Sequence, residues 1–207
     1  MAKLVVKRKR SIHRFRRSPL PTSKPVEVES PPVELWAYAV ERYPERRIEI
    51  VDGRVVIKAM PGKIHNDVVF LLVMLLGPAL MERGLRSWGD ITLFFGVHED
   101  RFRPDLTVVP RDPRMWSDDH VHADEVLMVV EVVSPSSVQD DHEYKPGRCA
   151  KGKVPLYLVI DPAQEIVRLL SQPTEDGYDD EVKVPLGEKL SLPAPFDLVL
   201  DTARLLV

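Results

Sequence analysis

Two acidic residues stand inside segments too apolar to carry them without a reason. Glu131 lies in Leu127-Met128-Val129-Val130-Glu131-Val132-Val133, and Asp105 opens the run Asp105-Leu106-Thr107-Val108-Val109. A continuous apolar run of this length reads as a strand covered on both faces. A lone ionised carboxylate there costs several kcal/mol unless it is paired or bound to a metal. If the two strands are neighbours, the carboxylates converge, and a divalent cation relieves their repulsion. An all-oxygen ligand set favours Mg²⁺ or Mn²⁺ over Zn²⁺. The plainer alternatives are that each acid faces solvent at a strand end, or pairs with an arginine such as Arg103. Lys145, fourteen residues after Glu131 on a polar crossover, is by itself an ordinary exposed lysine. Near a metal and its water, such a lysine can orient the water and offset developing negative charge.

The elements that must position these residues follow from pattern. Pro32 to Tyr43 predicts a short helix, opened by Pro32 and stopped by Pro44. Arg47–Val51 and Arg54–Lys58 flank Asp52-Gly53, a strong hairpin signal. Ile64, Val68, Leu71, Leu72, Leu75, Ala79 and Leu80 give helical spacing across residues 62–84, with Gly77-Pro78 expected to kink the helix or end its regular part. Short strands are expected at Leu85–Trp88, Ile91–Gly96 and Pro104–Val109, then a polar loop over 110–125. Val126–Val133 and Val154–Ile160 are apolar strands joined by a polar crossover over 134–152. Ile166–Leu170 and Asp180–Val184 begin a terminal antiparallel meander. The order predicts a mixed α/β (α+β) fold rather than a regular alternating array.

Composition sets outer limits. The chain has 207 residues, 29 Lys plus Arg, 32 Asp plus Glu, and one cysteine, Cys149. One domain with a short appendage fits this length. A single cysteine excludes an internal disulfide framework and a Cys-rich zinc site. The longest apolar run, Val68–Leu76, is far short of the roughly 20 residues of a spanning helix. No membrane association is expected, and with no secretory pattern at the start a cytoplasmic location is expected.

Charge is uneven. Residues 1–25 hold nine Lys and Arg and no acid, which leaves 26–207 at a formal −12. Residues 1–30 read as a basic, disordered arm ahead of a domain over 31–207. The arm either grips phosphates through counterion release or is a solvated tail. A body at −12 needs a local basic face to meet nucleic acid, with Lys63, Arg101, Arg103, Arg111 and Arg114 as candidates.

Other clusters read more plainly. Asp118-Asp119-His120-Val121-His122 and Asp140-Asp141-His142-Glu143 are expected to be solvated surface, since neither has a defined ligand spacing. Ser134 and Ser136 lack the Gly-x-Ser-x-Gly surroundings of a nucleophile and are expected to cap the next turn. His65 reads as a helix-start residue with a structural hydrogen bond.

Taken in order, Glu49-Ile50-Val51-Asp52-Gly53-Arg54-Val55, His65, Pro104-Asp105-Leu106, Val130-Glu131-Val132-Val133-Ser134-Pro135-Ser136, Lys145 and Val154 to Pro162 resemble the Uma-two family of restriction-endonuclease-like proteins, in the PD-(D/E)XK nuclease superfamily. The resemblance spans about residues 32–200. It implies a restriction-endonuclease-like central mixed sheet flanked by helices, with an N-terminal helix and hairpin and a C-terminal antiparallel meander. It implies a metal-dependent endonuclease acting on nucleic acid, DNA first, with Mg²⁺ or Mn²⁺ as cofactor and a homodimer as an allowed assembly. Asp105 and Glu131 would hold the metal, joined by the main-chain carbonyl of Val132. Lys145 would be the catalytic lysine, because Val133 stands where the superfamily often has one. Glu49 and His65 would be accessory; from the charge argument above, Lys63, Arg101 and Arg103 are the residues expected to meet nucleic acid. Pro146-Gly147, Cys149, Lys153 and Leu158 depart from the family pattern, and the crossover helix is expected to be short or distorted. The alternative is a non-catalytic nucleic-acid-binding or regulatory protein on a degenerate nuclease fold.

Overall fold

The computed structural model describes residues 32–97 and 99–207. Helix α1 (Pro32–Arg42) leads into a hairpin of β1 (Ile48–Val51) and β2 (Arg54–Ile57). Asp52 and Gly53 both take positive φ at its turn, as a two-residue hairpin loop requires. Helix α2 (Lys63–Glu82) follows, then β3 (Leu85–Trp88), β4 (Thr92–Phe94), β5 (Arg101–Phe102) and β6 (Leu106–Pro110). Strands β7 (Met115–Ser117) and β8 (His120–His122) occupy the stretch expected to be a loop. Next come β9 (Met128–Val132), a π-helical segment at Asp140–Tyr144, α3 (Lys145–Lys151) and β10 (Leu156–Asp161). The chain closes with β11 (Ile166–Pro173), β12 (Tyr178–Pro185), β13 (Lys189–Leu192) and β14 (Leu198–Asp201). The basic arm lies outside the described residues.

The one central mixed sheet expected from sequence is accompanied by a second of equal size. The first has the order β12-β11-β10-β9-β6-β3, and the second β2-β1-β5-β4-β8-β7, while β13 and β14 pair apart from both. The hairpin β1–β2 and β4 of the second sheet were expected, but β5, β7 and β8, of two or three residues each, are too short to show a period, so the sheet they complete was not.

Alternation along the strands divides the core. Val108, Met128, Val130, Val132, Leu158 and Ile160 pack with Val68, Leu72, Leu76 and Leu80 of α2. On the other face, Val109, Val129, Val133, Tyr157 and Val159 meet Val51, Leu93, Phe102 and Val121 of the second sheet and Cys149 of α3. Glu131 shares the parity of Val129 and Val133, so its carboxylate enters the layer between the sheets rather than the α2 side.

Helix α2 runs through Gly77-Pro78 to Glu82, past the expected break. It is long and apolar enough to cross a membrane by length and composition. Its 68/72/76/80 face is nonetheless buried against the sheet, as in a core helix, while Ile64, Phe70, Met74 and Met81 remain exposed.

The crossover is distorted, as its sequence predicts. A π-helical segment precedes a seven-residue α3 in which Pro146 lies in the first turn, where a missing N–H is harmless. The His142 carbonyl, which Pro146 cannot serve, accepts from Arg168 at 3.4 Å. Gly152 ends the helix against the Phe95 ring, where an added Cβ would approach Phe95 to 2.7 Å and Ala123 to 3.2 Å. Gly152→Ala should therefore lower stability by about 1–3 kcal/mol, read as a reduced urea midpoint at unchanged slope. An unshifted midpoint would show that Phe95 swings aside freely.

Candidate active site

The two anomalous acids meet at one end of the central sheet. Leu106 of β6 pairs antiparallel with Val130 of β9, a register that continues to set Asp105, just before β6, opposite Glu131. Asp105 Oδ2 accepts from the Val132 N–H at 2.8 Å. Its carboxylate also meets Arg47 at 2.8 Å through Oδ1 and His65 Nε2 at 3.0 Å through Oδ2. The arginine partner that sequence allowed is real, but it is Arg47 rather than Arg103.

Glu131 accepts from Lys145 Nζ at 2.7 Å. The same ammonium lies 3.2 Å from Glu49 Oε2 and 3.2 Å from Asp141 Oδ1. Lys145 is 1 % exposed, among the largest fully buried side chains in the protein. Glu49 also accepts from the Arg103 N–H at 2.7 Å. Lys58 stands 3.4 Å from Glu49 Oε2 and 3.9 Å from Asp141 Oδ1. A cleft of about 350 Å³ opens onto these groups and is also lined by Arg103, Val132 and Ser134–Ser137.

Electrostatics follow from crowding. Burial pushes the Asp105 carboxyl up, but the His65 hydrogen bond, Arg47 and the Val132 N–H together hold it well below the usual range. Burial likewise raises Glu49, and Lys145, Lys58, the Arg103 N–H and Arg47 outweigh it, so Glu49 is lowered. Glu131 goes the other way. Burial pushes it well up, and Asp141, Asp105 and Glu49 add repulsion that Lys145 only partly offsets. Lys145 is held charged, its burial overcome by Glu131, Glu49 and Asp141.

Sequence reasoning located Asp105, Glu131, Lys145, Glu49 and His65, and the structure gathers all five. It missed Arg47, Lys58 and Asp141. Asp141 was read as solvated surface, yet both Asp140 and Asp141 are buried. The signal available was spacing: Asp141 and Lys145 are four apart, which on a helical segment puts them on one side. The π-helical segment carrying Asp141 is pinned from two directions. Tyr157 Oη donates to the Asp141 carbonyl at 3.2 Å, and His142 Nε2 meets Asp161 at 2.9 Å.

The expected basic face needs correction. Arg101 is buried, and its guanidinium donates to the carbonyls of Gly96, Val97, Glu99 and Asp100 while lying over the Phe94 ring. It therefore braces a loop and, at 3 % exposure, is not presented to a phosphate. Lys63 is exposed and pairs with Asp67; Arg103 pairs with Asp90 at 2.9 Å at the cleft edge. Arg114 is tied to Asp124 and Glu125. The expected caps are not formed: among the described residues Ser134 Oγ meets only the hydroxyls of Ser136 and Ser137, and it is Ser137 Oγ that accepts from the Ser134 N–H at 3.0 Å. His120 is buried against Asp119 and Ser117, an element of β8 and not a surface ligand.

A family model described as Uma2, putative restriction endonuclease, matches residues 32–203. The chain belongs to the Uma2 family. No curated protein matches it. Among solved structures, a putative nuclease belonging to DUF820 from Anabaena variabilis ATCC 29413 is similar with a TM-score of 0.64 and 18% identity, over 78% of this chain and 90% of that one. At that identity the likeness speaks for the fold, which is restriction-endonuclease-like. Family and fold together make the protein nuclease-like, and the Asp105–Glu131–Lys145 constellation falls inside the matched span.

In this Uma2 chain, deleting the central ammonium should be costly. Lys145→Met leaves Glu131, Glu49 and Asp141 buried without their shared partner and should destabilise by about 3–5 kcal/mol. Adding Glu131→Gln should recover part of that loss, giving a non-additive cycle in denaturant titrations. Additive effects would mean that the two side chains do not interact.

Proposed function

We propose that the cleft is the site of a metal-dependent endonuclease that hydrolyses phosphodiester bonds of nucleic acid, with DNA as its expected substrate. The observation that carries this reading is the convergence of Asp105, Glu131, Glu49 and Asp141, from four separate parts of the chain, on one cleft. Their oxygens are the donor type of a hard cation. Glu49 Oε2 and Asp141 Oδ1 make no hydrogen bond among the described residues, although each lies 3.2 Å from the Lys145 ammonium; three carboxylates thus share one ammonium, a crowding that a hard cation would relieve. Among the described residues, no three His, Cys, Asp or Glu side chains form a ready ligand group; the cations stand between the acids. Asp105 and Glu131 would hold Mg²⁺ or Mn²⁺, with the Val132 carbonyl as a further oxygen donor. When bound, such an ion supplies Lewis-acid polarisation of a phosphoryl oxygen and a water of lowered pKa.

The chain's own residues do the rest. Lys145 fixes the directions of Glu131, Glu49 and Asp141. Arg47 and His65 fix Asp105 and keep it ionised. Arg47, Lys58 and Arg103 place cations at the cleft mouth within an otherwise acidic body, Arg47 and Arg103 paired with Asp105 and Asp90, so Lys58 is the one with least committed charge for a polyanion. A phosphate placed here meets cations already fixed in position, so little reorganisation is needed as charge develops.

A second reading rests on one observation: Arg47, His65 and the Val132 N–H already engage both oxygens of Asp105. A degenerate site that binds nucleic acid without cutting it would look the same. Plasmid nicking separates the two. Asp105→Ala and Glu131→Gln should each abolish Mg²⁺-dependent nicking, by about 10³-fold or more, with the far-UV spectrum unchanged. Nicking that persists in either variant would remove the assignment, and a wild type that binds DNA without cutting it favours the second reading.

For assembly, we take the exposed Phe70, Met74 and Met81 of α2 as the face against which a second copy packs. Light scattering should give a dimer that Phe70→Asp with Met74→Asp converts to monomer. A monomeric wild type would contradict this.

A further inference from the structure

Two lysines belong to the cluster, and they are not equivalent. Lys145 is ringed by Glu131, Glu49 and Asp141 within 3.2 Å, and its Nζ also lies 5.7 Å from the centre of the Phe102 ring. An ammonium has three donors, and here three carboxylates face it. Though Lys145 belongs to the cleft lining, it is 1 % exposed and its donors face the three acids. Its arrangement is that of an internal brace.

Lys58 lies just beyond β2, its N–H bonded to the Arg47 carbonyl. It continues the β1–β2 register, in which Ile48 opposes Ile57, so Lys58 opposes Arg47. Alternation then puts Arg47, Glu49 and Lys58 on one face of the hairpin. Like charges directly opposite on adjacent strands are unfavourable, so the Arg47–Lys58 pairing holds two cations together at a cost. Arg47 is committed to Asp105 and the Arg103 carbonyl. The Lys58 ammonium stands 3.4 Å and 3.9 Å from its two acids and makes no hydrogen bond among the described residues. The Lys58 side chain is 13 % exposed, against 1 % for Lys145, and lines the same cleft beside His65 and Ser134–Ser136.

We infer that Lys58, rather than Lys145, is the lysine that contacts the phosphate of the bound nucleic acid. This rests on the nuclease reading for the identity of the ligand and goes beyond it in assigning the contact. In this arrangement Lys145 acts only through the acids it holds, and Lys58 donates to a non-bridging phosphate oxygen. The free ammonium is supplied by the hairpin and not by the crossover helix, where sequence resemblance places the lysine.

The test uses the full chain without metal, so that no cleavage intervenes, and a 5′-phosphorylated thymidine dinucleotide as probe, titrated by calorimetry. Wild type should bind it, Lys58→Met should lose about tenfold or more in affinity, and Lys58→Arg should retain most of it. The apo melting temperature of Lys58→Met reports whether a loss is merely structural. In lysine acetylation followed by mass spectrometry, the dinucleotide should protect Lys58, while Lys145 stays unmodified with or without it. Equal affinity of Lys58→Met and wild type, no binding by wild type, or acetylation of Lys58 unaffected by the dinucleotide would each overturn the inference. The nuclease reading is judged apart from it. Binding through Lys58 with no cleavage in Mg²⁺ or Mn²⁺ would support the inference and remove the nuclease. Cleavage by Lys58→Met at the wild-type rate would keep the nuclease and remove the inference.

Discussion

A single buried ammonium sets the terms for the rest of the site. Lys145 sits where the crossover after β9 returns toward β10, and three carboxylates from three elements close on it. Each acid would be expensive to bury alone, and together they repel. The lysine makes their coexistence tolerable, and the geometry it imposes fixes how the hairpin, the central sheet and the crossover meet. Such a cluster is a weak source of net stability, because desolvation offsets much of the attraction. Its value lies in specifying positions.

The cluster also shows why the crossover is built as it is. An uninterrupted α-helix is not what the chain forms there; a π-helical segment shifts the phase before α3 begins. Such segments recur at functional sites because they re-aim side chains. Here Asp141 and Lys145 both turn inward. Arg168 serves the carbonyl left by Pro146, and Asp161, at the end of β10, holds His142. Pro146-Gly147, which weaken a regular helix, therefore belong to a distorted one that is held from outside.

How much of this was legible in the sequence depended on the kind of signal. Glu131 was conspicuous because a charge interrupts an apolar strand, and Asp105 because it borders one. The buried strands β9 and β10 and the long helix α2 were readable from composition and period. The second sheet was legible only in its hairpin and β4, since strands as short as Arg101–Phe102 carry no period. Arg101 was misjudged because a surface arginine and one folded back onto four carbonyls look alike in sequence. Asp141 was set aside because a run of polar residues reads as solvent-facing until a buried lysine is known to face it. Family resemblance named the carboxylates, but the inferred division of labour between Lys145 and Lys58 rests on burial and donor count, which sequence does not display.

The central claim is that these acids form a hard-cation site between Asp105 and Glu131. A crystal structure grown with Mn²⁺ and measured for anomalous scattering tests it directly. The account predicts one strong manganese peak contacting both the Asp105 and Glu131 carboxylates, lost in the Glu131→Gln variant. No peak there at saturating Mn²⁺, or peaks confined to surface acids such as Asp118 and Asp119, would contradict it.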